Sequence, residues 1–93
     1  MAYPHLDNFI GACLNQDYAY FGDTVEGVID AYRGMLDRAG ADKLQSDARR
    51  FVSEHPDDLE QAFHDAYWYD FDPKLWDMTA LQFLQLLDRR MQR

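Results

Sequence analysis

A single cysteine, Cys13, stands in the 93-residue chain, so no disulfide can form within it. A lone thiol on a helical apolar stripe, with no activating base in view, reads as a buried structural residue in a reducing compartment. Basic residues are also scarce, with nine Lys and Arg against seventeen Asp and Glu and a formal net charge of −8. That balance argues against direct binding of nucleic acid or anionic lipid, both of which reward clustered cations. No apolar run approaches the roughly 20 residues that a membrane-spanning helix needs. The opening residues Met1-Ala2-Tyr3-Pro4-His5-Leu6-Asp7 lack the basic start and apolar run of a signal peptide, so a cytoplasmic protein is expected.

Metal and catalytic patterns are equally thin. His5, His55 and His64 are dispersed, with no histidine pair at helical spacing and no cysteine pair, so no zinc set is assembled. Asp70, Asp72 and Asp77 offer hard oxygen ligands but without the glycine and terminal glutamate of a calcium loop. His64 beside Asp65 has the atoms for proton transfer, yet on an exposed helical face it reads as a surface residue. Carboxylate pairs such as Asp57 with Asp58 arise from composition alone in so acidic a chain. No glycine-rich phosphate loop is present. The sequence therefore points to no enzyme, no metal and no cofactor.

What the chain has is helical periodicity. Leu6, Phe9, Ile10, Cys13 and Leu14 fall at i, i+3, i+4, i+7 and i+8, one apolar stripe. After a connector rich in tyrosine, Asp23 or Thr24 can cap a second helix whose buried face is Val25, Val28, Ile29, Tyr32, Met35 and Leu36, with Gly40 suited to the position after its end. Gly27 and Gly34, seven apart, suggest a close approach of another helix to that second one. A third helix is expected from Asp42 to Ser53 with Leu44, Ala48, Phe51 and Val52 inward. Pro56 suits the first turn of a fourth, burying Leu59, Ala62, Phe63 and Ala66 and leaving Asp57, Asp58, Glu60, Gln61, His64 and Asp65 outward. Tyr67 to Asp77 has no clear period and is interrupted by Pro73. Thr79 with Gln82 makes a capping box for a last helix burying Ala80, Phe83, Leu84, Leu87 and Met91. The expected fold is all-α, a single compact bundle of about five short helices in one domain over residues 1–93.

The most distinctive stretch runs from Glu54 to Asp77. It carries eight carboxylates against one cation, Lys74, and interleaves Phe63, Tyr67, Trp68, Tyr69, Phe71 and Trp76 among them. Carboxylates attract a basic partner at long range, and rigid aromatics supply contact area at low entropy cost. The opposing interpretation makes the aromatics core and the acids a solvated coat. The first interpretation makes Asp57, Asp58, Glu60, Asp65, Asp70 and Asp72 contact carboxylates and Tyr67, Trp68 and Trp76 anchors. With a chain too small for a large core and a deep active site together, it favours a binding module; self-association through exposed aromatics is the alternative.

The residues Tyr3 to Tyr32, with the turn Asn15-Gln16-Asp17-Tyr18 and the cap Gly22-Asp23-Thr24, resemble the small immunity proteins of bacterial contact-dependent growth inhibition systems. Tyr67-Trp68-Tyr69-Asp70-Phe71-Asp72-Pro73 resembles that family's aromatic-Asp-Pro segment before the final helix. The resemblance implies a mostly helical protein without enzymatic activity that neutralises a toxin domain delivered by a neighbouring cell. It implies a cognate toxin as partner, a nuclease in many systems of this kind, and the acidic charge adds the expectation of a basic one, bound one-to-one by a protein that is monomeric when free. Asp17, Tyr18, Asp23 and Thr24 are then expected to shape a turn and a cap rather than to touch the partner.

Overall fold

In the computed structural model, which describes residues 3–13, 24–67 and 71–92, five α-helices and one 3-10 turn follow one another and no strand occurs among the described residues. They are α1 (Pro4–Cys13), α2 (Val25–Gly34), α3 (Arg38–Glu54), α4 (Leu59–Tyr67), the 3-10 turn (Pro73–Trp76) and α5 (Ala80–Met91). The last helix is the centre of the bundle. Its stripe of Ala80, Phe83, Leu84, Leu87 and Met91 is buried as the periodicity requires, and α2, α3, α4 and the 3-10 turn all pack on it. Phe83 meets Phe9 at 6.5 Å, Phe63 at 5.8 Å and Phe71 at 4.8 Å between ring centroids, so one aromatic joins α1, α4 and the 71–79 segment. The Cα radius of gyration is 12.1 Å, close to the roughly 12 Å expected for a compact chain of this length.

Two of the expected helix caps are present. Thr24 caps α2 by accepting from the Gly27 N–H, and Thr79 with Gln82 forms a complete capping box on α5. Asp23 and the Asn15–Gln16–Asp17–Tyr18 turn lie outside the described residues, as do Leu14, Trp68, Tyr69, Asp70 and Arg93.

Several expectations are corrected. The third helix starts at Arg38 rather than Asp42, because Asp37 caps it with a 2.7 Å hydrogen bond from the Gly40 N–H. Gly40 is therefore inside α3 and not the stop of α2. A Cβ there would come within 3.2 Å of both Asp37 Oδ1 and Leu36 Cδ2, so the small residue serves the cap. The close approach expected at Gly34 is also absent, since a Cβ at that position meets nothing within 4 Å. Met35 follows α2 as its C-cap and is 61% exposed, outside the buried stripe assigned to it. Pro56, Asp57 and Asp58 form a turn ahead of α4 instead of its first helical turn. On α4 the inward frame runs Leu59, Phe63, Tyr67, a period of four, which leaves Ala66 exposed.

Candidate partner-binding surface

Two helix N-termini in this bundle are completed by carboxylates from other helices, and that fact sorts the acidic residues. A helix start leaves its first backbone N–H groups without intrahelical partners. On α5 all of these are satisfied. Thr79 N–H donates to Gln82 Oε1 at 2.9 Å, Ala80 and Leu81 donate to the Glu60 carboxylate at 2.9 and 3.2 Å, and Gln82 N–H donates to Thr79 Oγ1 at 3.1 Å. Glu60 thus places a negative charge at the positive end of α5, where the helix dipole favours it.

At α1 the same service comes from Asp47 of α3. Pro4 opens the helix and has no N–H; His5 and Leu6 donate to Asp47 Oδ2 at 2.8 and 3.2 Å. Asp47 is only 4% exposed, and Arg50 reaches its other oxygen at 3.4 Å. Beside it, Arg50 lies over the Tyr3 ring at 5.1 Å, and the Tyr3 hydroxyl donates to Glu54. Burial first, and the Glu54 carboxylate second, push the Tyr3 hydroxyl up to about 12.

The remaining acids divide by position. Asp57 and Asp58 stand exposed on the turn before α4, with Asp58 Oδ1 3.3 Å from His55 Nδ1. Asp65 is exposed on α4 and accepts from Gln61 Nε2 at 2.8 Å. Asp72 is half-buried and caps the 3-10 turn, accepting from the Lys74 N–H at 3.1 Å. Asp57, Asp58 and Asp65 therefore share one exposed region around α4, while Glu60 and Asp72 within it are held by backbone.

The aromatics sort differently. Phe63, Tyr67 and Phe71 are core, at 1%, 5% and 4% exposure. Tyr67 is thus no surface anchor: its ring packs on Phe63 at 4.9 Å, and its hydroxyl donates to Asp7 Oδ1 at 2.6 Å. Burial, then the Asp7 carboxylate, raises its hydroxyl well above the usual tyrosine value. Trp76 is half-buried and packs against the core edge, whereas Trp68 and Asp70 lie outside the described residues. Sequence reasoning missed Asp47, Asp7 and the cap made by Glu60, because each acts across at least twenty residues of chain.

The cleft between α4 and the 3-10 turn, lined by Glu60, Phe63, His64, Phe71, Asp72 and Lys74 among others, encloses about 20 Å³, room for little beyond one water. No group of three or more His, Cys, Asp or Glu side chains is placed to hold a metal ion among the described residues. Among the described residues no helix is long and apolar enough to cross a membrane.

The described carboxylates thus divide among helix caps, ion pairs such as Asp30–Arg90 and Asp88–Arg49, and exposed positions around α4. A family model described as CdiI immunity protein matches residues 2–91. The chain belongs to that family. It is an immunity protein of contact-dependent growth inhibition, and its function is to neutralise a cognate toxin. No match was found among curated proteins or among solved structures. Within this immunity protein, the order of a short first helix, a Thr24-capped second helix and a Pro73 turn before the final helix follows the order on which the resemblance rests.

Proposed function

We propose that this immunity protein holds one toxin domain stoichiometrically and without catalysis, through the exposed carboxylates around α4. Asp57, Asp58 and Asp65 supply the charge, Asp72 and Trp76 border the contact, and Trp68 and Asp70 belong to the same stretch of chain. The observation that carries this reading is the exposure of Asp57, Asp58 and Asp65 on α4 and the turn before it, in a family member with net charge −8. The complementary partner is a basic toxin domain of the nuclease type, whose cations must be free to meet phosphate. Complementary fields raise association rates by about 10 to 1,000-fold, which matters when a toxin must be captured before it acts. The free protein is a cytoplasmic monomer in this scheme.

Co-expression with the toxin domain encoded immediately upstream, followed by pull-down and titration of toxin activity, tests it. A stable complex with inhibition complete at one equivalent is expected. Inhibition at substoichiometric protein would instead require turnover and an enzyme. Charge reversal at Asp57 and Asp65 together should weaken the complex; unchanged affinity would remove the acidic region from the interface.

A further inference from the structure

The 3-10 turn carries the acidic surface round to a second site. Asp72 caps one end of the turn and Asp77 the other. At about 2 Å per residue the two caps are roughly 10 Å apart, well within one interface. Past Asp77 the chain runs into an open groove of about 440 Å³ between the first turn of α2 and the exposed side of α5, lined by Glu26, Asp77, Met78, Gln82, Gln85, Leu86 and Arg89. Met78 and Leu86 are half-buried and leave apolar atoms along it, while Glu26 and Asp77 are exposed acids. One turn beyond Glu26, Arg90 of α5 donates to Asp30 of α2 at 2.9 Å, so the two walls are tied together.

Asp77 is also the one non-glycine residue with positive φ among the described residues, at φ 59° and ψ 36°. The left-handed region is disfavoured for any residue with a Cβ, and glycine would occupy it freely. The conformation is set by hydrogen bonds from the Asp77 N–H to Lys74 O at 3.2 Å and from the Met78 N–H to Pro73 O at 3.2 Å. A carboxylate sits where the backbone asks for glycine, beside a mainly polar groove with an apolar strip of Met78 and Leu86, on a protein whose family binds toxins. Such an outlier points toward use.

We infer that this groove seats a long basic side chain, lysine or arginine, projected from the surface of the toxin domain. Its aliphatic stem lies along Met78 and Leu86 and its cationic head meets Glu26 and Asp77, as amphipathic side chains do on half-apolar surfaces. Arg89 also lines the groove and repels a cation placed beside it, so the head settles on the two acids. A preformed groove with tied walls loses little freedom on binding, which suits a hot spot flanked by the steering acids of α4. The inference rests on the toxin-binding reading above and gives it a second, contiguous contact.

The test uses the full-length protein and a catalytically inactivated form of the upstream-encoded toxin domain, with affinity measured by calorimetry. The groove variant combines Glu26→Gln, Asp77→Asn and Gln85→Arg; asparagine tolerates the left-handed conformation, so the turn is kept. Binding at least tenfold weaker is expected, with the thermal midpoint little changed. Asp77→Gly alone should weaken binding while preserving or raising the midpoint, which separates the carboxylate from the turn. Full affinity in both groove variants, alongside weakened binding on charge reversal of Asp57 and Asp65, would overturn the groove and leave the α4 contact standing. A free protein that is dimeric, and made monomeric by the groove variant, would assign the groove to a second copy and overturn the toxin as occupant. A wild-type protein that fails to bind the toxin would overturn both.

Discussion

The Tyr67 hydroxyl donates a 2.6 Å hydrogen bond to the Asp7 carboxylate, sixty positions earlier in the chain. This contact ties the end of α4 to the first turn of α1 and takes the most conspicuous aromatic of the acidic stretch out of the surface. Tyr67→Phe keeps the ring packing and removes only the bond, leaving a half-buried carboxylate without that donor. The expected loss is about 1.5–3 kcal/mol of stability, read from denaturant midpoints. Toxin affinity of the folded variant should not change. A large loss of affinity at unchanged stability would return Tyr67 to the interface.

Alkaline pH should act through the same residue. The Tyr67 hydroxyl is raised in the folded state by burial and by Asp7, whereas in the unfolded chain it titrates near 10. Its contribution is therefore fully present below pH 10 and is lost as pH rises above it, because the unfolded state releases its proton first. Tyr3, pushed up to about 12, adds a loss of the same sign between pH 10 and 12. Stability should fall as pH rises above 10, and above about pH 11 the fall should be shallower in Tyr67→Phe by up to about 1.4 kcal/mol per pH unit. Equal slopes in the two proteins would contradict the raised hydroxyl.

These relationships mark the boundary of what the chain discloses by pattern. Leu6, Phe9 and Ile10 of α1, Val25, Val28 and Ile29 of α2 and the stripe of α5 were legible because burial repeats at helical spacing, and the Thr79–Gln82 box because capping is local. Gly40 misled because a glycine suits a helix stop, yet here it makes room for the Asp37 side chain at a helix start. Ala66 and Tyr67 exchange places because neighbouring positions on a short helix differ by only about 100°, and packing chose the larger ring. The candidate surface was legible as charge but not as use. Nothing near Glu60 in sequence says that it caps a helix starting twenty residues later, and nothing near His5 says that Asp47 will.

Asp47 gives the sharpest stability test. Its nearly buried carboxylate accepts from the His5 and Leu6 N–H groups and from Arg50. Asp47→Ala orphans both backbone donors at the start of α1 and should cost about 2–4 kcal/mol. Asp47→Asn keeps a carbonyl acceptor and should recover part of that. Hydrogen exchange should locate the damage in α1 first. Loss spread evenly over all helices would mean that the cap is not specific to α1.

Glu60 separates fold from interface inside the acidic region itself. Because both of its oxygens are engaged at the start of α5, Glu60→Ala should cost about 1–2 kcal/mol of stability. Affinity for the toxin, measured below the melting transition, should stay within a factor of two or so, since the carboxylate was already committed. A tenfold drop in affinity with little change in stability would put Glu60 in contact with the partner.

Asp57 and Asp65 should behave in the opposite way, and the ionic strength of the medium makes the contrast measurable. Both are exposed around α4 and neither caps a helix, so Asp57→Asn with Asp65→Asn should leave stability within about 0.5 kcal/mol. Charges at the rim of an interface act mainly on the encounter, whereas buried contacts act on dissociation. The double variant should therefore associate with the toxin several-fold more slowly at low salt, with a dissociation rate close to wild type. Raising salt to about 0.5 M shortens the screening length to a few ångströms and should bring the two association rates together. Stopped-flow association across a salt series reads this directly. An unchanged on-rate at low salt, or a defect that persists in high salt, would mean that these acids do not steer the toxin.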